Sequence, residues 1–233
     1  MTLNKSPVQQ PSAALPAARL AEAARYALLR RLAPSMRHHL VVNLQPIGMI
    51  YEVMDRRLKA PEPNLGEVHE SAHKINGFAK AALHSCLDVV TWLAPDEEVL
   101  TTAEAGVREC LGLVATSLTF RGYAMRNEVA AIPREIRRSA LRNVLTAILM
   151  HATDQNPAPA DIVLSAEAEA AGLTLTLTLR RTEGEPTFTG EPAYRRLDWS
   201  DVEALAGAES VQLARTGNQR LQLTIPWASP ANA

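Results

Sequence analysis

The sequence of 233 residues predicts an α+β fold, in which a long antiparallel helical hairpin precedes an α/β sandwich. Four leucines alternate with three threonines between Leu173 and Leu179, which is typical of a strand with one buried face. Earlier in the chain, two segments carry apolar residues at helical spacing, which favours two amphipathic helices. The first repeat is Leu40, Leu44, Ile47, Tyr51, Met54 and Leu58, and the second is Val68, Ala72, Ile75, Ala79, Ala82, Cys86 and Val89.

The first helix is predicted over residues 17–59 and the second over residues 67–93. Pro34 and Pro46 fall inside the first helix. Pro34 is expected to kink or break the helix, and Pro46 is expected to bend it or loosen one turn. Pro61 and Pro63 mark a turn between the helices, because two prolines so close together cannot continue a helix. A hairpin alone leaves its apolar stripe uncovered, so we expect a homodimer in which two hairpins form a four-helix bundle.

The remaining elements predict a mixed sheet with helices on one face. A helix over residues 101–119 has Thr101 or Thr102 as its N-cap, and a second helix is predicted over residues 134–153. Strands are predicted at 123–129, 161–167, 173–181, 211–215 and 220–226, with a short helix at 200–206 capped by Ser200. The expected organisation is a disordered tail over 1–16, the helical hairpin over 17–93 and the sandwich over 97–228.

The composition of the chain argues against nucleic-acid binding and membrane-spanning functions. The net charge of −1 gives no reason to expect nucleic acid, and the longest apolar runs are too short to span a bilayer. No secretory signal is evident in residues 1–16, so a cytoplasmic protein with no membrane association is expected. The two cysteines lack metal-type spacing and are interpreted as small buried hydrophobic residues.

Two adjacent histidines, His38 and His39, lie near the start of the first apolar repeat but off its stripe. Solvated imidazoles on a rigid helix can ligate a metal or accept a phosphoryl group, although a pair of plain surface histidines fits the same pattern. Val42, Gln45 and Met49 continue the side of the helix that carries His38, as one outer stripe. This stripe is interpreted either as a docking surface for a partner or as a surface covered by the second domain.

The order of a histidine-bearing hairpin and an α/β sandwich resembles the core of bacterial sensor histidine kinases over about residues 18–228. The family's helix pattern, His-Glu-Leu-x-x-x-Leu-x-x-Ile with a later Glu, is matched here with His39 in place of the acidic residue. In this register His38 takes the phosphoacceptor position. A shift by one residue would instead make His39 the acceptor, with Asn43 and Leu44 matching a His-Asp-x-x-Asn-Leu form. The first register is favoured by Leu40, Leu44, Ile47 and Glu52.

The second half resembles the family's ATPase-like domain, with parts of the nucleotide site missing. Residues 121–123 resemble its Arg-Gly-hydrophobic entry, and residues 141–148 resemble its Asn-rich ATP box. The first asparagine is present as Asn143, whereas Ala147 replaces the second and offers no oxygen ligand to Mg²⁺. No Asp-x-Gly pair follows the strand at 173–181, and no Gly-x-Gly-Leu-Gly segment occurs. The resemblance therefore implies a degenerate nucleotide site and no cofactor.

The function that the resemblance implies is a two-component histidine phosphotransferase that relays phosphoryl groups to or from response-regulator receiver domains. The receiver would supply the aspartate and Mg²⁺, and a sensor histidine kinase is a further candidate partner. The alternatives are a non-catalytic pseudokinase that binds and modulates a receiver or kinase, and an ATP-dependent kinase with an unusual site. No metal site is expected, because His69 and His73, spaced by four residues, lack an evident third ligand.

Overall fold

The computed structural model describes residues 14–94, 98–184 and 194–228. Two long helices form an N-terminal hairpin, and the rest of the chain forms an α/β unit around a five-stranded sheet. The helices are α1 (Ala14–Leu58), α2 (Leu65–Leu93), α3 (Ala103–Phe120), α4 (Arg138–Ala140), α5 (Thr146–Gln155) and α6 (Trp199–Ala208). The strands are β1 (Leu100–Thr102), β2 (Tyr123–Asn127), β3 (Glu135–Arg137), β4 (Ala160–Ala168), β5 (Gly172–Arg181), β6 (Gln212–Thr216) and β7 (Arg220–Pro226).

Helix α1 is continuous over 45 residues and passes through both Pro34 and Pro46. A break at Pro34, one of the two outcomes expected there, is therefore excluded; the helix begins at Ala14, three residues before the start that its periodicity predicts. Contacts with α2 and with the α/β unit support α1 on either side of Pro34. Asn64 caps α2, since its Oδ1 accepts hydrogen bonds from the backbone N–H groups of Gly66 and Glu67 at 3.0 and 3.3 Å.

The predicted apolar stripe of α1 divides between two environments. Leu40, Ile47 and Met54 are partly buried on the side that faces α2. Leu44, Tyr51 and Leu58 remain 50%, 56% and 45% exposed. Helix α2 likewise leaves large apolar side chains in solvent, among them Leu83, Leu87, Val90 and Leu93. One hairpin therefore does not cover its own apolar surface.

The five strands of the main sheet run in the order β2-β4-β5-β7-β6, with β2 and β4 parallel and the other pairs antiparallel. The alternation in β5 is confirmed, because Leu173, Leu175, Leu177 and Leu179 are all buried in the core beneath the helices. The threonines point to the opposite face, where Thr174 and Thr224 hydrogen-bond across strands at 2.9 Å.

The segment predicted as one helix over residues 134–153 has three parts. Glu135–Arg137 forms β3, which pairs antiparallel with β1 in a small second sheet. The helix then starts at Arg138 and contains a π-helical segment at Leu141–Leu145 before α5. The prediction of a helix from residue 134 is wrong at its start, because Ile136 is fully buried and its backbone pairs with Thr101, 35 positions earlier in the chain.

Helix α6 begins one residue earlier than predicted. The Asp201 carboxylate accepts a hydrogen bond from the Asp198 backbone N–H at 2.9 Å, so the cap is at Asp198 rather than Ser200. No helix among residues 14–94, 98–184 and 194–228 is long and apolar enough to cross a membrane.

The first half of α1 belongs to the same core as the α/β unit. Ala24, Ala27, Leu28 and Leu32 are at most 1% exposed and join the hydrophobic cluster that includes the sheet. In this half, Arg25 pairs with Glu209 just after α6, and Arg31 pairs with Asp154 of α5. The hairpin and the α/β unit are consequently joined by packing as well as by the chain connection.

Candidate functional site

The two adjacent histidines lie on α1 in different environments. The His38 side chain is exposed, whereas His39 is partly buried. Their ring centroids lie 6.3 Å apart, and the ring planes are tilted by 56°. Successive residues of a helix point about 100° apart, which is why one ring meets solvent and the other turns toward neighbouring helices.

Asn43 joins the two helices of the hairpin one turn beyond His39. Its Nδ2 donates to the Ser85 hydroxyl of α2 at 3.0 Å and to the backbone carbonyl of His39 at 3.0 Å. The side chain is thus used in a structural hydrogen bond, which accounts for Asn43 without a role beside a reactive histidine.

The outer stripe below His38 is open to solvent. Val42 and Met49 are 50% and 62% exposed, and Gln45 is exposed between them. The interpretation of this stripe as a surface covered by the second domain is therefore wrong, because the α/β unit leaves the stripe exposed. An exposed apolar stripe next to an exposed imidazole is a surface suited to a protein partner.

A hollow of about 220 Å³ separates α1 from α3 beside the histidines. Both His38 and His39 line it, and α3 contributes its opposite wall. The lining residues are Pro34, Ser35, His38, His39, Leu113, Thr116, Ser117 and Phe120. None of them carries an acidic side chain, so an anionic group can approach this hollow without meeting a carboxylate on its walls.

A second hollow, of about 200 Å³, lies between α1, α2 and α3. His39 lines this one as well, together with charged side chains from the other two helices. The lining residues are Met36, His39, Ser85, Asp88, Val89, Trp92, Arg108, Glu109, Gly112 and Leu113. His39 therefore borders two hollows beneath α3.

Asn143, which the sequence resemblance compares with an ATP-box asparagine, is buried and already hydrogen-bonded. Its side chain lies in the π-helical segment, is 5% exposed and donates from Nδ2 to Glu209 Oε1 at 2.6 Å. Glu209 is itself 4% exposed and also accepts from Ser139 at 2.9 Å and from Arg25 of α1 at 3.4 Å. Ala147 is fully buried.

Sequence reasoning missed Glu209. It stands just after α6, 66 positions from Asn143, in a sequence context without a recognisable motif. Only the tertiary fold brings these two residues together, so no local pattern could have identified the pair.

The arginines of α4 and of the π-helical segment bind to side chains of α2 and α3. Arg138 and Arg142 both donate to Glu109 of α3, and Arg142 also donates to the Thr91 hydroxyl at 3.0 Å and lies over the Trp92 ring. Burial alone would raise the pKa of Glu109, but the hydrogen bonds from the two arginines outweigh it and lower that pKa. Both arginines therefore have partners within the protein and do not form a purely solvated surface.

The other histidines do not form a second site. His151 is buried, with Nδ1 2.8 Å from the Leu197 carbonyl, and its ring packs against Trp199, so its role is structural. His69 and His73 are exposed on α2. Across the described parts of the chain, no group of three or more His, Cys, Asp or Glu residues is placed to hold a metal ion. Cys110 is buried, but Cys86 is exposed, which corrects its interpretation as a buried residue.

No family model and no curated protein matches the chain. Among solved structures, it is similar to the Acinetobacter baumannii histidine kinase AdeS, with 15% identity, a TM-score of 0.42 and coverage of 77% of this chain and 96% of that one. A histidine kinase from Burkholderia phymatum STM815 has 15% identity, a TM-score of 0.42 and coverage of 92% and 99%. Histidine kinase ThkA in complex with response regulator protein TrrA has 13% identity, a TM-score of 0.44 and coverage of 97% and 70%. Since all three TM-scores are below 0.5, we argue function from this chain's own residues.

Proposed function

We propose that this protein is a homodimeric histidine phosphotransferase, in which His38 relays phosphoryl groups to or from response-regulator receiver domains without ATP. The observation that carries the proposal is a contrast between two side chains. His38 is exposed on a long helix, whereas Asn143, at the ATP-box position, is buried against Glu209. A histidine open to a protein partner and a closed nucleotide position favour relay over kinase activity.

The chemistry requires little beyond an accessible imidazole. A lone-pair nitrogen of neutral His38 would attack the phosphorus of a receiver's aspartyl phosphate. The N–P bond forms as the acyl phosphate P–O bond breaks, and the aspartate leaves as a carboxylate. In the reverse direction the carboxylate of a second receiver attacks the phosphohistidine, and the imidazole leaves with its original protonation.

Receiver docking is assigned to the stripe formed by Val42, Gln45 and Met49. These residues follow His38 along one side of α1, and the two apolar members are at least half exposed. Burial of such side chains on association would supply a favourable hydrophobic contribution next to the reacting nitrogen.

The dimer is assigned to the uncovered apolar face of the hairpin. Leu44, Tyr51 and Leu58 on α1 and Leu87 and Val90 on α2 are all at least 45% exposed. Helical hairpins with such faces gain stability when a second hairpin completes a four-helix bundle. The His38 stripe lies on a different side of α1, so dimer formation leaves the reactive side open.

The residues at the ATP-box positions do not fit a magnesium–nucleotide complex. Mg²⁺ requires oxygen ligands in an open site, and Ala147 supplies none. Asn143 could turn outward only by leaving the Glu209 carboxylate without its hydrogen bond, which is costly in a buried position. A phosphoryl group on His38 would therefore come from another protein, such as a phosphorylated receiver or a sensor histidine kinase.

One observation favours a second candidate function. His39 stands where the histidine kinase pattern places an acidic residue, so the side chain that would activate or orient the acceptor is absent. The corresponding alternative is a pseudokinase that binds a receiver or kinase and modulates it by sequestration. It uses the same docking stripe but transfers no phosphate.

The two functions separate in a transfer assay with receivers from the same genome, each phosphorylated with radiolabelled acetyl phosphate. We expect label to reach the wild-type protein and the His39→Ala variant, and to be lost in His38→Ala. His73→Ala, an exposed histidine elsewhere on the hairpin, is the matched control. If neither His38→Ala nor His39→Ala changes the transfer, the phosphotransferase proposal is wrong. If a receiver binds but no label is transferred, the pseudokinase function is favoured. Tight binding of Mg-ATP in calorimetry would contradict the conclusion that the nucleotide site is closed.

A further inference from the structure

A buried ion pair links the first half of α1 to the α/β unit. Arg31 Nη1 and Nη2 each lie 2.7 Å from an Asp154 carboxylate oxygen, and the two side chains are 4% and 2% exposed. Asp154 also accepts a hydrogen bond from the Leu197 backbone N–H at 3.2 Å, which orients the carboxylate. This two-point geometry fixes both the distance and the rotation of α1 relative to α5.

Helix α3 is held to the same unit from its other side. Glu109 accepts hydrogen bonds from Arg138 and Arg142, and Arg142 reaches across to Thr91 of α2. Because α1 and α3 are both attached to the α/β unit, the gap between them is set by these attachments. That gap is the hollow beside the two histidines.

The two histidines differ in their relation to this gap. His39 lines both hollows beneath α3 and is partly buried, whereas His38 lines only the rim between α1 and α3 and is exposed. Arg31 precedes His38 by seven residues, or about two turns and 10 Å along the helix. A change in how Arg31 is held would therefore move both imidazoles relative to α3.

We propose that Arg31 and Asp154 are positioning residues that select His38 over His39. Their ion pair holds α1 in the position that keeps His39 against α3, and it leaves His38 as the one imidazole of the pair that a partner reaches freely. The selection deepens the proposed phosphotransfer function and rests on it for its biological meaning. The shielding of His39 itself is a property of the folded chain and is testable without any receiver.

The test measures the rate at which diethyl pyrocarbonate modifies each histidine of the full-length protein, with tandem mass spectrometry to separate the two neighbours. In the wild type we expect fast modification of His38, slower modification of His39 and protection of the buried His151. In Arg31→Ala the His39 rate rises by about threefold or more, toward that of His38, because opening of the pair exposes the ring. His69 and His73, remote from α3 in the sequence and exposed, keep their rates.

Arg195→Ala is the matched control. Arg195 and Asp201 form a two-point pair at 2.6 and 2.8 Å that lies wholly within the α/β unit. Its removal deletes a two-point ion pair, more exposed than that of Arg31, without releasing α1, so the His39 rate stays at the wild-type value. Continued protection of His151 in each variant verifies that the fold is intact.

A second variant also removes the side-chain hydrogen bond between α2 and the π-helical segment. Arg31→Ala combined with Thr91→Val also removes the hydroxyl that accepts from Arg142. If His39 is as slow in this double variant as in the wild type while His151 stays protected, the proposal is wrong. It is equally wrong if wild-type His39 reacts as fast as His38.

Potassium phosphoramidate tests the same selection by direct phosphorylation. It transfers its phosphoryl group to an imidazole nitrogen and releases ammonia. We expect phosphohistidine at position 38 in the wild type and at positions 38 and 39 in the double variant. Phosphorylation confined to position 38 in both proteins would overturn the selection by Arg31. Absence of transfer from every receiver would instead count against the proposed function, and the modification rates would still decide whether Arg31 shields His39.

Discussion

Asn143 donates a hydrogen bond from Nδ2 to Glu209 Oε1 at 2.6 Å, inside a region where both side chains are buried. The same carboxylate accepts from Ser139 and Arg25, so one acidic residue gathers groups from the π-helical region and from α1. A residue type that serves Mg²⁺ in the resembling family is here part of the internal structure. The contact gives Asn143 a structural role in this protein.

Glu209→Ala should destabilise the protein strongly. The substitution leaves the buried Asn143 amide and Ser139 hydroxyl without an acceptor, and Arg25 without its counter-ion. We expect a loss of about 2–4 kcal/mol in the free energy of unfolding, measured by urea denaturation. Glu203→Ala, an exposed site on α6, should change stability by less than about 0.5 kcal/mol. Equal stability of the two variants would contradict a structural role for Glu209.

Val42→Asp should weaken the proposed docking of a receiver. A carboxylate in the centre of the outer stripe opposes the burial of its apolar side chains and repels the acidic site of a receiver. We expect about tenfold weaker binding of the receiver by calorimetry, which is ~1.4 kcal/mol. Ala124→Asp, on an exposed position of β2, is the control that should bind normally. Unchanged binding by Val42→Asp would place docking elsewhere.

Leu44→Asp should separate the proposed dimer while leaving each hairpin folded. Leu44 is 50% exposed in the single chain and would be buried by a second copy, where an unpaired carboxylate is costly. We expect the dissociation constant in sedimentation equilibrium to rise by about 100-fold or more. The Val42→Asp variant lies on another side of α1 and should remain dimeric, so the two substitutions act on different interfaces.

Acid should destabilise the fold partly through Glu109. Its pKa is lowered in the folded state by Arg138 and Arg142 despite burial, so the ionised form contributes stability above the ordinary carboxyl pKa. That contribution is lost as the pH falls from the ordinary value of 4.5 through the lower folded-state pKa. Urea denaturation across this pH range should show that the free energy of unfolding falls less steeply with acid in Glu109→Gln than in the wild type. Glu104→Gln, more exposed on the same helix, should follow the wild-type profile.

The elements that sequence predicts well are those with a strong local period. The hairpin helices, α3 with its Thr102 cap, and the alternating strand β5 all lie close to their expected positions. Their apolar spacing or capping residue is contained within a few turns or strand steps, where local physics decides the structure.

The features that sequence did not predict depend on distant partners. Strand β3 forms because Glu135–Arg137 meets Leu100–Thr102, and Glu209 and Asp154 acquire their importance from residues of α1. The histidines were recognised from a short motif, but the difference between an exposed His38 and a partly buried His39 required α3 to be in place. Long-range pairs of this kind leave no periodic signal.

Because α1 is continuous, the number of residues between Arg31 and His38 determines the direction in which the His38 side chain points. Each residue inserted between them would turn His38 by about 100° and advance it by 1.5 Å, carrying it away from its present side. An insertion of about seven residues would restore the direction of the imidazole, but it would shift the imidazole by about two turns along the helix. The exposed residues between Arg31 and His38 should therefore tolerate substitution far better than the stretch tolerates any change of length.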